Sequence, residues 1–226
     1  YYPGLDTRVR YGTPGTMYGS GADHDAAWQR TQNAIHQIGH GLIARHWDFY
    51  TVFDQVLESA KTVPGGLDVA GFTCRALILP DIQYVPGEVA DVLDRFLDVG
   101  GHVLAVGHVP AVLRANGTVA RRGWSHHPRL HLIQCTPRAA AGKLAATLAK
   151  CAHREVKLVG SRLQEIMLTH RSSHGIEQLF LTNFGRETVR FSAGIDESWQ
   201  ELDTVLRTVR PSEPKNIQLA PNESVL

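Results

Sequence analysis

The sequence is short of cysteine and of net charge, and it lacks any long apolar run; each shortage removes a class of function. Only Cys74, Cys135 and Cys151 occur among 226 residues, and no two are spaced as C-x-x-C. An odd, scattered set excludes a zinc ribbon and a disulfide framework, so inert thiols in apolar segments are expected. Lys and Arg number 23 against 22 Asp and Glu, a formal net charge of +1. That balance gives no general electrostatic reason to expect nucleic acid or an anionic membrane as a partner. Arg121 and Arg122 read as a solvated face. No apolar stretch approaches the roughly 18 to 20 residues needed to cross a bilayer, and YYPGLDTRVR does not have the pattern of a signal peptide. These features fix no compartment. No cofactor is expected.

What remains is a folded-protein composition, 43% hydrophobic and 20% charged. Residues 1 to 24 are rich in Gly, Tyr and Pro and read as a strand end and a loop. Trp28, Ile35, Ile38 and Leu42 then fall on one helical face. WDFYTVFDQVLESAK carries a second such stripe through Phe49, Val52, Phe53, Val56 and Leu57, and VPGGLDVAGF reads as turns around a short extended piece.

The middle of the chain is the clearest part. ALILP, Ala76 to Pro80, is a short apolar run of the kind buried on both faces of a parallel sheet. GEVADVLDRFLDVGG follows, with Val89, Val92, Leu93 and Phe96 on one helical face and Gly100-Gly101 as the stop. HVLAVGHVP and LHLIQC supply two more strands, and PRAAAGKLAATLAKCAHRE a further helix. Strands alternating with helices predict a parallel sheet flanked by helices, an α/β fold with amidotransferase-like, flavodoxin-like topology. After Val156 the pattern becomes short strands separated by turn clusters at Ser172 to Gly175 and Asn183 to Gly185, with NIQLAPNESVL adding another. The expected organisation is an α/β domain over 1–160 and a small antiparallel β unit, incomplete by its pattern, over 161–226.

The stretch HQIGHGLIARH places His36, His40 and His46 where the zinc peptidase pattern HExxHxxGxxH holds its metal. The base position, however, is Gln37, and the turning position is Ile43. A neutral amide cannot take a proton from metal-bound water, and a β-branched residue is strained at positive φ. A helix continuing through Ile43 would carry His46 about 15 Å along the axis from His36. The expectation is therefore half-buried helical histidines, with a metal held by His36, His40 and His46 as the alternative. The sequons Asn116-Gly117-Thr118 and Asn222-Glu223-Ser224 would matter only in a eukaryotic secreted protein.

The run from CRALILP to HVLAVGHVP resembles the core of a class I glutamine amidotransferase-like domain. Active members carry a nucleophilic Cys in an elbow close to G-x-C-x-G; here the matching residues are Val106-Gly107-His108-Val109-Pro110. An imidazole cannot form the thioester that chemistry requires, and neither Cys74 nor Cys135 stands where it could substitute. The resemblance thus implies a degenerate, non-catalytic copy. Such copies occur in large glycoside hydrolases, between a catalytic barrel and a β domain. RHWDFYTVFDQVLE and the N-x-x-x-x-x-V-x-F pattern of LTNFGRETVRF are similar to segments of α-L-rhamnosidases of glycoside hydrolase family 106 and of β-galactosidase-like proteins, over residues 26 to 195.

The resemblance implies a non-catalytic accessory or packing domain of a multidomain enzyme acting on plant or microbial oligosaccharides. Its partner would be the catalytic barrel of the same protein, with self-association a further expectation, and it should expose an apolar patch when alone. Of the carboxylates Asp48, Asp54, Asp81 and Glu88, Asp81 is best placed for binding, directly after a parallel strand. Asp81 and His108 are the candidate substrate contacts, and no catalytic residue is expected. Two rivals remain. One is a hydrolase of amidotransferase-like or zinc-peptidase-like type with a divergent site. The other is a carbohydrate-binding module, for which Trp28, Trp47, Trp124 and Trp199 are too scattered to establish a groove.

Overall fold

The computed structural model describes residues 22–225, apart from 70, 153, 155, 174–175, 195–198, 204–207 and 213–215. The loop expected over 1–24 lies almost wholly outside the described residues. The chain divides into two compact units, one comprising Tyr1–Gly39 with Tyr50–His153, the other His40–Phe49 with Arg154–Leu226.

The described residues open with a helix, α1 (Ala22–Ile43). Among its described side chains, Thr31, Ala34, Ile38 and Leu42 are buried. The second expected helix is mostly absent: residues 47–53 have no regular secondary structure, and only α2 (Asp54–Glu58) is helical. Tyr50 and Phe53 are exposed while Val52 is buried, so an apolar pattern compatible with a helix is satisfied outside one.

An antiparallel trio follows, β1 (Lys61–Val63), β2 (Gly66–Val69) and β3 (Phe72–Cys74). The centre of this unit is a parallel sheet of β4 (Ala76–Pro80), β6 (His102–Val106) and β9 (Leu130–Ile133), in the order β4-β6-β9. Beside it, β5 (Tyr84–Pro86) pairs in parallel with β7 (Ala111–Leu113), which pairs antiparallel with β8 (Val119–Ala120). The expected α/β architecture, with a parallel sheet flanked by helices and antiparallel β structure after it, is present.

Helix α3 (Gly87–Asp98) buries Val89, Ala90, Val92, Leu93, Phe96 and Leu97 in one core with Leu77, Leu79 and Val103 of the parallel strands. Each such large side chain stabilises the fold by about 1.5–3 kcal/mol relative to exposure. Trp124 joins the same core and donates its indole N–H to Asp94 Oδ1 at 2.5 Å. Arg122, expected to be simply solvated, pairs with Asp91 and Asp94 of α3. Helix α4 (Pro137–Cys151) starts with Pro at its first position, where no backbone donor is needed, and buries Ala140, Ala141, Leu144 and Leu148.

The second unit is antiparallel among its described strands. β10 (Lys157–Gly160), β13 (Val189–Gly194) and β16 (Ile217–Leu219) form one sheet. β11 (Ile166–Ser173), β12 (Ile176–Asn183) and β17 (Ser224–Val225) form another, and β14 (Trp199–Asp203) pairs with β15 (Thr208–Ser212). Ile166, Leu168, Leu179, Leu181, Val189 and Phe191 belong to its core.

Candidate functional site

In the α/β unit, Asp81 and Gly107-His108 stand just past the C-terminal ends of the adjacent parallel strands β4 and β6. Open α/β sheets bind ligands outside that edge. The structure brings the two expected side chains together: His108 Nδ1 lies 3.1 Å from Asp81 Oδ1. The carboxylate accepts from Nδ1–H, leaving Nε2 as the remaining polar position on the ring. Nε2 is buried and has no hydrogen-bond partner among the described residues.

The backbone on both sides is unusual. Gly107 has φ 81°, and its N–H donates to Ile133 O at 3.1 Å. A Cβ at Gly107 would lie 2.4 Å from Asp81 Oδ1, so only glycine allows the elbow and the carboxylate to coexist. Asp81 itself has φ 50°, and its carbonyl accepts from Thr31 Oγ1 of α1 at 3.0 Å. Gly107 and Thr31 thus support this pair. The glycine carries a sequence signal, the elbow pattern; Thr31, fifty positions away, carries none.

The arrangement orients an imidazole by a carboxylate, but neither side chain is a nucleophile of the Ser, Cys or Thr kind. It can accept or donate hydrogen bonds to a polar ligand. The half-buried thiols do not alter this: Cys74 Sγ donates to Ala76 O, and burial pushes the Cys74 and Cys151 thiols up, away from the reactive thiolate.

The three histidines of HQIGHGLIARH have separate environments. His36 and His40 are exposed on α1, as are Gln37 and Ile43. The helix ends at Ile43, where His46 N–H reaches Ile43 O and Trp47 N–H reaches Leu42 O. This is a Schellman ending, with His46 at φ 57° in the left-handed position usually held by glycine. His46 is buried, and its Nε2 lies 2.8 Å from Leu163 O and 3.0 Å from Ile166 O. Two carbonyls require Nε2–H as donor, so that nitrogen has no lone pair for a metal. Among the described residues no group of three His, Cys, Asp or Glu is placed to hold a metal ion.

Burial, aided by the charge of Arg154 and opposed by the two carbonyls, holds the His46 pKa below its ordinary 6.5. Unfolding then takes up protons, so stability from neutral His46 is complete above pH 6.5 and declines as pH falls below it. We expect urea midpoints of the second unit to fall with acidification through that range. A His46→Gln variant, lacking the ring, should show a flatter profile, as read by tryptophan fluorescence.

Of the tryptophans with described side chains, Trp47 and Trp124 are buried. Arg154 lies over the Trp47 ring at 4.6 Å and donates to Arg45 O at 2.6 Å. Neither indole offers a face to a sugar. Trp28 and Trp199 side chains lie outside the described residues.

No protein-family model matches the chain, and no curated protein matches it significantly. Its fold, however, is similar to parts of several solved structures. A beta-galactosidase from Bacillus circulans sp. alkalophilus aligns with TM-score 0.60 and 10% identity over 95% of this chain and 38% of that one. The apo exo-carrageenase GH42 from Bacteroides ovatus aligns with TM-score 0.54 and 13% identity over 85% of this chain and 26% of that one. A rhamnosidase from Novosphingobium sp. PP1Y gives 0.50 and 12% over 77% and 19%. The chain spans between 19% and 38% of the length of these proteins, and at such identities the likeness is one of fold.

Proposed function

We propose that this chain is a non-catalytic accessory region of a larger glycoside hydrolase, whose work is to pack against the catalytic barrel of the same polypeptide. The observation that carries the reading is that the fold recurs as a minor part of a beta-galactosidase, an exo-carrageenase and a rhamnosidase. The amidotransferase-like descent of the α/β unit belongs to the same proposal. It is supported by the Gly107-His108 elbow at the end of β6, where the imidazole replaces a nucleophile.

Exposed aromatic surface in that unit fits a packing role. Tyr50 and Phe72 stack with ring centroids 4.4 Å apart, and they remain 63% and 40% exposed, with Phe53 at 42%. Rings held against each other yet open to water offer preorganised apolar area to a partner.

The test is to assay the purified chain on aryl galactosides and rhamnosides while titrating a hydrophobic dye. Turnover is expected to stay at the buffer rate, and a Tyr50→Ser, Phe72→Ser double variant should lose about half of the dye signal without change in circular dichroism. Hydrolysis that disappears in Asp81→Asn would overturn the reading in favour of an enzyme with a divergent site.

A further inference from the structure

Asn116 is the one asparagine of the sequence followed by glycine, and it sits exposed in the turn between β7 and β8. Its side-chain oxygen accepts two hydrogen bonds from one residue: Thr118 N–H at 3.0 Å and Thr118 O–H at 2.7 Å. Gly117 has φ 79° and brings no side chain of its own to hinder attack by its nitrogen. We infer that Asn116 is a self-modifying site, at which the turn promotes spontaneous deamidation through a cyclic imide.

The Gly117 nitrogen, released from its bond to Arg114 O at 2.9 Å, attacks Asn116 Cγ and loses its proton. A new N–Cγ bond forms, the Cγ–Nδ2 bond breaks, and Nδ2 leaves as ammonia with that proton. Water then opens the imide at either carbonyl, giving aspartate or isoaspartate; nothing is oxidised or reduced. The two Thr118 donors already point at the oxygen on which negative charge develops in the tetrahedral intermediate, the arrangement that stabilises oxyanions in acyl transfer.

No other asparagine precedes glycine: Asn33 is followed by Ala34 and Asn216 by Ile217. Asn183 is fully buried with its amide engaged, and Asn222 precedes Glu223, while the hydroxyl of its sequon, Ser224, is bonded to Thr182 at 2.9 Å. Conversion at Asn116 adds a negative charge to the turn, and the isoaspartate form adds a backbone methylene where β7 and β8 must stay in register.

Incubation of the intact chain in mildly alkaline buffer, followed by peptide mass spectrometry and isoaspartyl methyl-acceptance, tests the inference. Asn116 is expected to convert first, and Thr118→Val to slow it by about three- to tenfold in the folded protein, Thr118→Ser leaving it near the parent rate. In urea the parent and Thr118→Val should react alike, since the clamp is then gone. Equal folded rates for parent and Thr118→Val, or conversion of Asn116 no faster than that of the other asparagines, would overturn it.

Discussion

Replacing Asn183 by alanine is expected to destabilise the second unit by about 2–4 kcal/mol, the cost of leaving several buried polar groups unpaired. Asn183 is 0% exposed at the end of β12. Its Nδ2 donates to Glu187 O at 2.8 Å, Leu219 O at 3.0 Å and Ala220 O at 3.1 Å, and Oδ1 accepts from Gly185 N–H at 2.8 Å. Its backbone N–H and C=O are also used, with Glu223 O and Asn222 N–H. One side chain therefore holds the turn after β12 to the chain leaving β16, and Val189 and Phe191 enter the core beyond that turn.

Urea unfolding followed by fluorescence should show a midpoint lower by roughly 1–2 M, at unchanged slope. Asn183→Asp should be at least as damaging at neutral pH, because a carboxylate can accept from Gly185 but turns an acceptor toward three carbonyls. An alanine variant within about 0.5 kcal/mol of the parent would show that water replaces these bonds without loss.

The second large effect is expected at Gly107. An alanine there meets Asp81 Oδ1 at 2.4 Å and must hold φ 81°, so Gly107→Ala should cost about 2–4 kcal/mol and separate His108 from Asp81. Two contributions are mixed in that figure, and a second substitution separates them. In the Asp81→Ala background the clash is absent while the backbone strain remains. The two substitutions should therefore be non-additive, with a coupling of at least about 1 kcal/mol in thermal or urea unfolding. Strict additivity would mean that Asp81 swings aside freely and that the elbow does not fix the pair.

The N-x-x-x-x-x-V-x-F pattern, recognisable in LTNFGRETVRF, has a mechanical basis here: Asn183 ties the turn while Val189 and Phe191, 1% and 4% exposed, anchor the strand that follows. At the end of β6 the chain turns through Gly107 in the left-handed region, and His108 follows it.

The strands ALILP and HVLAV and the helix between them are legible because none of the strand residues is exposed, which leaves little polar choice, and Gly100-Gly101 marks the helix end unambiguously. Gly101 N–H reaches Phe96 O and Gly100 N–H reaches Leu97 O, with Gly100 at φ 105°. The same ending occurs at α1, but a histidine fills the left-handed position there, and no local signal announces it. His46 can hold φ 57° because Leu163 O and Ile166 O, more than a hundred residues later, take its ring. Spacing in HQIGHGLIARH records distance along a helix, whereas the partner of a side chain such as His46 is chosen where the chain returns. The sequence by itself determined the alternation of elements, the buried strands and the absence of a nucleophile at the elbow. Only the tertiary structure decided that Asp81 meets His108, that Asn183 closes the β unit and that residues 47–53 are not helical, because each depends on contacts between segments that sequence periodicity treats as independent.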